Sequence, residues 1–222
     1  MIYEFFFIAY SIIYFYGRFY NINLSNLTEY FTFALALNVY FFYDVPFIYD
    51  AEYLFSNKQP FEHISKLMIC IIIYLFLDFY LCLNKSIKID KILHHIGGIT
   101  AYSIALLGYN VGVMNNCVKN EITNIWLNLY KISKKSNNII LKKIYPISVI
   151  LFLFTYITHR IIPCTIMMIQ IIRNKDIIKW DIYSYIDLVL FTIHNILQYY
   201  WFKIILTQFF SVIKEKLSNK IE

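Results

Sequence analysis

The order of apolar and polar positions divides the chain into long apolar segments joined by short polar connections. A helix needs roughly 20 apolar residues to cross the hydrocarbon core of a bilayer, and most of these segments reach that length. The pattern predicts an all-α, multi-pass membrane protein with about seven spans. The spans are about Tyr3–Tyr20, Leu27–Tyr49, Ile64–Leu83, Ile92–Val113, Gly112–Tyr130, Ile144–Met168 and Tyr185–Phe210.

The fifth segment is the most polar, and its polar residues repeat with helical spacing. Asn120, Asn124 and Asn128 recur every four residues, Asn116 extends the series by one turn, and Glu121 borders it. Residues at this spacing share one face of a helix. Polar groups within a span face the interior of a bundle or a wet cavity. We therefore predict a helix that lines a cavity, with a helix lying on the membrane surface as the alternative.

Composition agrees with the membrane class. Of the 222 residues, 59% are hydrophobic and only 15% are charged, which leaves too little polar surface for a soluble domain of this size. The net charge of +6 comes from lysines that flank apolar runs instead of forming one stripe. This distribution favours membrane lipids, and no nucleic acid, as partners.

Lysine and arginine residues in the predicted loops are more numerous on the side that carries the C-terminus. Such residues concentrate in the cytoplasm, so we predict a cytoplasmic C-terminus and a lumenal or outside N-terminus. The N-terminal segment has no basic stretch before its apolar run and is interpreted as a retained leading helix. The sequons at Asn23, Asn26 and Asn84 then lie in the cytoplasm, where we expect no glycan.

An acidic residue and a pair of histidines lie at the connection between the third and fourth spans. Asp78 precedes the end of one span and His94 and His95 begin the next, so two antiparallel helices bring them together. A carboxylate beside an imidazole orients its tautomer and raises its basicity. The alternative is a hydrogen bond that only holds two helices together. Adjacent residues lie about 100° apart on a helix, so one histidine faces a cavity and no metal pair is expected.

Arg160 lies within the sixth span, in "THRIIP", where an arginine must pair inward or extend towards the interface. Glu121 is the acidic partner that we expect, in a salt bridge that is either structural or catalytic. Pro163, three residues later, should loosen the helix next to Arg160.

The last span carries a further group of polar residues, in "HNILQYYWFK". His194 and Gln198 are one turn apart, with Asn195 beside them, and Trp201 suits the interfacial aromatic belt. A partly polar packing face is the simpler interpretation of most of them.

Taken in order, these residues resemble the TLC domain family, named for translocation-associated membrane proteins, ceramide synthases and the CLN8 protein. The resemblance covers about Leu27–Phe210 and rests on "YLFLDFYL", "LHHIGG", "NEITNIWLNLY", "THRIIP" and "LQYYWFKII". It implies six helices arranged as a barrel around a cavity over residues 27–210. Residues 1–26 then form a leading helix and short loop, and residues 211–222 a short basic cytoplasmic tail.

In the ceramide synthases of this family, a histidine pair and a downstream His–Asp…Asp set transfer a fatty acyl group from coenzyme A to a sphingoid amine. His94 and His95 match the pair, whereas Asn120, Glu121 and Asn124 stand near the downstream set and do not match it. The resemblance is therefore closer to the branch outside the ceramide synthases, whose members are linked to lipid composition, lipid sensing or trafficking.

Three functions remain open. The first is the binding or handling of lipid in an intramembrane cavity, in the endoplasmic reticulum or another internal membrane. The second is N-acyl transfer, which alone of the three functions would need a cofactor, acyl-CoA. The third is a structural or cargo-escort role. The catalytic candidates are His94, His95, Asp78 and Glu121. The lipid-cavity candidates are Asn124, Asn128, Arg160, Asn195, Gln198 and Trp201.

Overall fold

A computed structural model describes residues 32, 35–37, 39–40, 47–55, 60, 62–83, 88–176, 178 and 180–218, with the side chains of 81–83 and 215–218 excepted. The predicted span Tyr3–Tyr20, most of Leu27–Tyr49 and the three sequons lie outside these residues. The helices are α1 Ala51–Leu54, α2 Glu62–Leu83, α3 Ile89–Leu106, α4 Val111–Val118, α5 Thr123–Lys135, α6 Ile139–Tyr156, α7 Ile162–Arg173 and α8 Ile182–Ser218. A 3-10 turn, Lys119–Ile122, links α4 to α5, and a π turn, Ile157–Ile161, links α6 to α7.

The described residues confirm the all-α, membrane-protein prediction. Three helical stretches among them are long and apolar enough to cross a bilayer, namely Glu62–Tyr80, Ile139–Arg173 and Ile182–Lys214. They correspond to the third, sixth and seventh predicted spans. The fourth and fifth predicted spans are helical as α3 and as α4 with α5. The count of seven spans stays a prediction. Helix α8 continues through Ser218, so residues 211–218 of the predicted tail are helical.

The boundary between the fourth and fifth segments differs from the prediction, because α3 ends at Leu106 rather than near Val113. Gly108 adopts a φ of 96°, its N–H donates to the Ala105 carbonyl, and the Tyr109 N–H donates to the Ile104 carbonyl. These two bonds form a Schellman motif, which ends a helix and favours glycine at this position. Asn110 then takes a φ of 47° immediately before α4 begins.

The helices pack in pairs and expose an apolar outer surface. Contacts join α2 to α3, α3 to α8, α8 to α6, α6 to α5, and α4 to α2. On α6, Ile147, Ile150 and Phe154 lie on one exposed face. An apolar face of this kind on a polytopic helical protein is suited to contact with lipid tails.

The π turn at Ile157–Ile161 interrupts the long helix where Arg160 lies. Pro163 follows in the first turn of α7, and proline can neither donate the helical hydrogen bond nor accommodate the carbonyl four residues earlier. The helix is loosened next to Arg160, as the sequence predicts. Arg160 is buried here, with 7% of its surface exposed.

Candidate functional site

Two adjacent cavities lie between the helices, and three ionisable residues line both of them. The first cavity encloses about 50 Å³ and the second about 290 Å³, and both are partly open. His94, Glu121 and Arg160 line each cavity. The three side chains come from α3, the 3-10 turn and the π turn, so the two irregular turns bring both charged residues to one place. We take this junction of the two cavities as the candidate site.

Asp78 and His95 form a hydrogen-bonded pair between α2 and α3. His95 Nε2 lies 2.8 Å from Asp78 Oδ2, and His95 Nδ1 lies 2.6 Å from the Lys91 carbonyl oxygen. Because a carbonyl oxygen can only accept, Nδ1 carries a proton, and a second proton lies between Nε2 and the carboxylate. Both polar edges of the His95 ring are thus occupied, and neither residue lines either cavity. The geometry favours the interhelical hydrogen bond that the sequence left open.

A double-mutant cycle with Asp78→Asn and His95→Gln should reveal this coupling in thermal or denaturant unfolding of the purified protein. We expect a coupling energy of about 1–2 kcal/mol, because charged hydrogen bonds exceed neutral ones while bonds within membranes are modest. The matched control is the exposed Glu62–Lys66 pair on α2, whose 2.9 Å contact should show no measurable coupling. Equal coupling in the two cycles would contradict a pinning role for Asp78.

His94 is the histidine of the pair that faces the cavities. Its ring meets Trp201 edge-on at 5.1 Å between centroids and lies 6.3 Å from the His194 ring. Asp90 accepts from Trp201 Nε1 at 2.9 Å, which fixes the indole of α8 against the first turn of α3. Within the described part of the chain, no group hydrogen-bonds to the buried His94 Nδ1. His94 is therefore positioned by ring contacts, and its Nδ1 is available to a ligand.

Arg160 is held by neutral groups rather than by a carboxylate. Its Nε donates to Thr123 Oγ1 at 2.8 Å, and its Nη1 approaches Gln198 Oε1 at 3.5 Å. The guanidinium also lies 5.5 Å from the centre of the Tyr156 ring. Arg160 lines both cavities, and among the described residues no carboxylate lies within salt-bridge distance of its guanidinium.

The predicted Glu121–Arg160 salt bridge does not form among the described residues. Glu121 Oε2 instead accepts from Asn124 Nδ2 at 2.6 Å, three residues along the same helical segment. Local hydrogen bonds to neutral side chains thus replace the ion pair. Glu121 and Arg160 thus line the same cavities without a direct salt bridge between them.

His194 adds a third histidine to the site, from α8. Its Nε2 lies 3.1 Å from Gln198 Nε2 and 3.5 Å from Asn120 Nδ2. The Gln198 amide is oriented by its Oε1, which accepts from the Tyr156 hydroxyl at 2.7 Å. Two donors therefore point at His194 Nε2, so the ring is neutral with its proton on Nδ1.

The remaining candidates lie in helix contacts away from the cavities. Asn128 donates to Thr32 Oγ1 at 2.9 Å, and Asn195 donates to the Cys164 carbonyl at 3.1 Å. The structure thus brings some candidates to the cavities, and these are His94, Glu121, Asn124, Arg160 and Trp201. It places the others in helix contacts, and these are Asp78, His95, Asn128, Asn195 and Gln198.

Four cavity-lining residues were absent from the site candidates chosen from the sequence, and these are Asn120, Thr123, Tyr156 and His194. Asn120 stands on the recognised polar stripe and His194 is one turn from Gln198, so a signal existed for both. Tyr156 and Thr123 carry no distinguishing pattern, because tyrosine and threonine are ordinary in apolar helices.

These features define a polytopic, all-helical membrane protein with ionisable groups gathered around internal cavities. The chain belongs to the TLC domain family, because the family model of the TLC domain matches residues 23–207. The resemblance seen in the sequence is thereby confirmed, while the branch within the family stays a prediction. A search of curated proteins and a search of solved structures each returned no significant match.

Proposed function

We propose that this protein binds a membrane lipid at the junction of the two cavities, with the lipid headgroup near His94, Glu121 and Arg160. The observation that carries the proposal is that a buried arginine and a buried glutamate line both cavities at that junction and form no salt bridge with each other. A buried charge is unfavourable unless other groups satisfy it, and within a membrane such charges mark binding or transport sites. A headgroup that bears charged or hydrogen-bonding atoms supplies those missing partners.

The rest of the first cavity suits an acyl chain. Leu75, Leu93, Leu190 and Leu197 line it, together with other aliphatic side chains. Small-molecule sites combine mostly apolar walls with a few polar groups that fix orientation. The polar junction and the aliphatic wall together match the two parts of an amphipathic molecule.

Two finer proposals concern the helix arrangement and the orientation in the membrane. The pairs α2–α3, α3–α8, α8–α6, α6–α5 and α4–α2 form a closed order once α4 and α5 are joined through the 3-10 turn between them. We propose that this order belongs to a six-helix barrel after a leading helix. We also propose an internal membrane with a cytoplasmic C-terminus, on the distribution of basic residues.

Lipid that copurifies with the protein tests the binding proposal. We expect mass spectrometry of the wild type to show a retained lipid, and His94→Ala to reduce its amount about fivefold, the factor for one hydrogen bond of about 1 kcal/mol. His63→Ala, at an exposed position on α2, is the matched control and should retain the wild-type amount. Equal lipid in all three proteins, or none in the folded wild type, would refute the proposal.

A second candidate function is N-acyl transfer, which the unbonded Nδ1 of His94 favours. A neutral imidazole with an available nitrogen can serve as a general base or a transient acyl acceptor. Asp78 is occupied by His95 and Asp90 by Trp201, whereas Glu121 is a carboxylate that lines the same cavities as His94. A new N-acyl lipid in cells that express the wild type, lost in His94→Ala, would favour the enzyme. A folded protein with neither bound lipid nor product would favour the structural or escort role.

A further inference from the structure

A third cavity, separate from the candidate site, surrounds Asp187 near the start of α8. We call it the Asp187 pocket. It encloses about 20 Å³, enough for one water-sized group, and it is partly open; its lining includes Phe55, Asn110, Trp180, Ser184, Asp187 and Phe191. Phe191 lines the first cavity as well, so the two spaces share one wall residue.

Asp187 is a deeply buried carboxylate with one oxygen satisfied. Its relative exposure is 2%, and its Oδ2 accepts from Asn110 Nδ2 at 3.0 Å. No group in the described ranges donates a hydrogen bond to Asp187 Oδ1, and no lysine or arginine there forms an ion pair with Asp187. A buried acceptor without a donor is unfavourable by about 1–3 kcal/mol, and more when it is charged. The free oxygen therefore identifies a position that a donor from outside the chain would satisfy.

The surroundings of Asp187 indicate what kind of donor fits. Ser184 lies three residues earlier, on the same helix face, and offers a second oxygen to the pocket. The rings of Phe55, Trp180 and Phe191 form part of the remaining wall, and aromatic faces attract cations. The rest of the wall is aliphatic and consists of Val113, Ile171, Ile178 and Leu188. Among the described residues, no group of three or more His, Cys, Asp or Glu side chains is arranged to hold a metal ion. A single carboxylate with aromatic walls suits an organic cation better than a divalent metal, which requires more oxygen ligands.

We propose that the Asp187 pocket binds a primary ammonium group, which donates to Asp187 Oδ1 and Ser184 Oγ and lies against the aromatic side chains. This site is independent of the lipid site proposed above. The ammonium group belongs either to a small free amine or to an amphipathic amine, and the two sources share the same recognition chemistry.

Tryptophan fluorescence provides the test, because Trp180 lines the pocket. In a Trp126→Phe/Trp201→Phe background, Trp180 is the remaining tryptophan of the three in the chain. The protein in detergent is titrated with butylammonium, with dodecylammonium, and with potassium at matched ionic strength. We expect a saturable change with an ammonium ion and none with potassium. Saturation by butylammonium identifies a free amine, and saturation by dodecylammonium alone identifies an amphipathic amine.

Substitutions at the pocket complete the test. Asp187→Asn preserves the shape of the side chain and should weaken ammonium binding tenfold or more, and Ser184→Ala should weaken it by a smaller factor. Asp176→Asn, at an exposed position before α8, is the matched control and should bind as the parent does. If Asp187→Asn does not fold, the ammonium affinity of Ser184→Ala tests the proposal on its own. Equal affinity in Ser184→Ala and the parent, a response to potassium equal to that for ammonium, or no saturable binding would overturn the proposal.

Discussion

Replacement of Arg160 by methionine is expected to remove most of the copurified lipid while leaving the fold intact. Loss of a buried charged partner typically weakens binding by about 2 kcal/mol or more, which corresponds to about thirtyfold. The partners of Arg160 keep other hydrogen bonds, because Gln198 Oε1 still accepts from Tyr156 and the Thr123 hydroxyl still donates to the Asn120 carbonyl. Arg160 forms no salt bridge among the described residues, so its replacement leaves no carboxylate stripped of a direct ionic partner.

Two measurements separate these effects. Mass spectrometry of the purified protein measures retained lipid, and thermal unfolding in the same detergent measures stability. Arg173→Met, at the exposed end of α7, controls for the loss of a positive charge and should change neither quantity. A large fall in the unfolding temperature of Arg160→Met, with lipid retained in the folded fraction, would show that Arg160 is structural.

Substitution of Gly112 by alanine is expected to lower the free energy of unfolding, whereas the same substitution at Gly97 should not. An added Cβ would meet the Tyr53 carbonyl oxygen and lie 2.7 Å from Leu54 Cα, both backbone atoms of α1. Backbone atoms cannot rotate away, so α1 and α4 must separate. Overpacking of this kind is unfavourable by about 1–3 kcal/mol or more, and each kcal/mol lowers the unfolding temperature by about 2–4 °C in a chain of this length.

Gly97→Ala is the matched control for this prediction. Its added Cβ would lie 3.7 Å from Leu190 Cδ2, an ordinary contact. Alanine is favoured over glycine in a helix interior by about 0.5–1 kcal/mol, so this variant should unfold at the wild-type temperature or slightly above it. Similar unfolding temperatures for Gly112→Ala and Gly97→Ala would contradict the close approach of α1 and α4.

The long apolar segments and the Asp78–His95 contact were predictable because each depends on local spacing. Hydropathy over about 20 residues identifies a helix, and a short connection between two helices brings their facing ends together. The spacing of His94 and His95 required that only one face a cavity. The spacing could not decide which histidine does so, because that choice depends on which side of α3 faces Asp78 and which side faces Trp201.

The arrangement around Arg160 could not be predicted from charge alone. Opposite charges at similar depth suggested a salt bridge, but Asn124 is three residues from Glu121 and satisfies it locally. The position of α5 and the π turn then directs Arg160 towards Thr123 and Gln198. A charged side chain can bond to a neutral partner nearby in the sequence or to an ionic partner far away in it. Tertiary geometry decides between them, and a single sequence does not reveal that geometry.

The π turn at Ile157–Ile161 has a consequence for the register of everything that follows it. A π turn holds about one residue more than an α-helical turn, so it is equivalent to a single-residue insertion within a continuous helix. Deleting one of its residues would let the turn close into a regular helix. It would also rotate α7 relative to α6 by about 100°, the angle per residue. With α6 and α7 rotated in this way, the exposed face of α6 could not contact lipid tails while α7 keeps its buried face against the neighbouring helices.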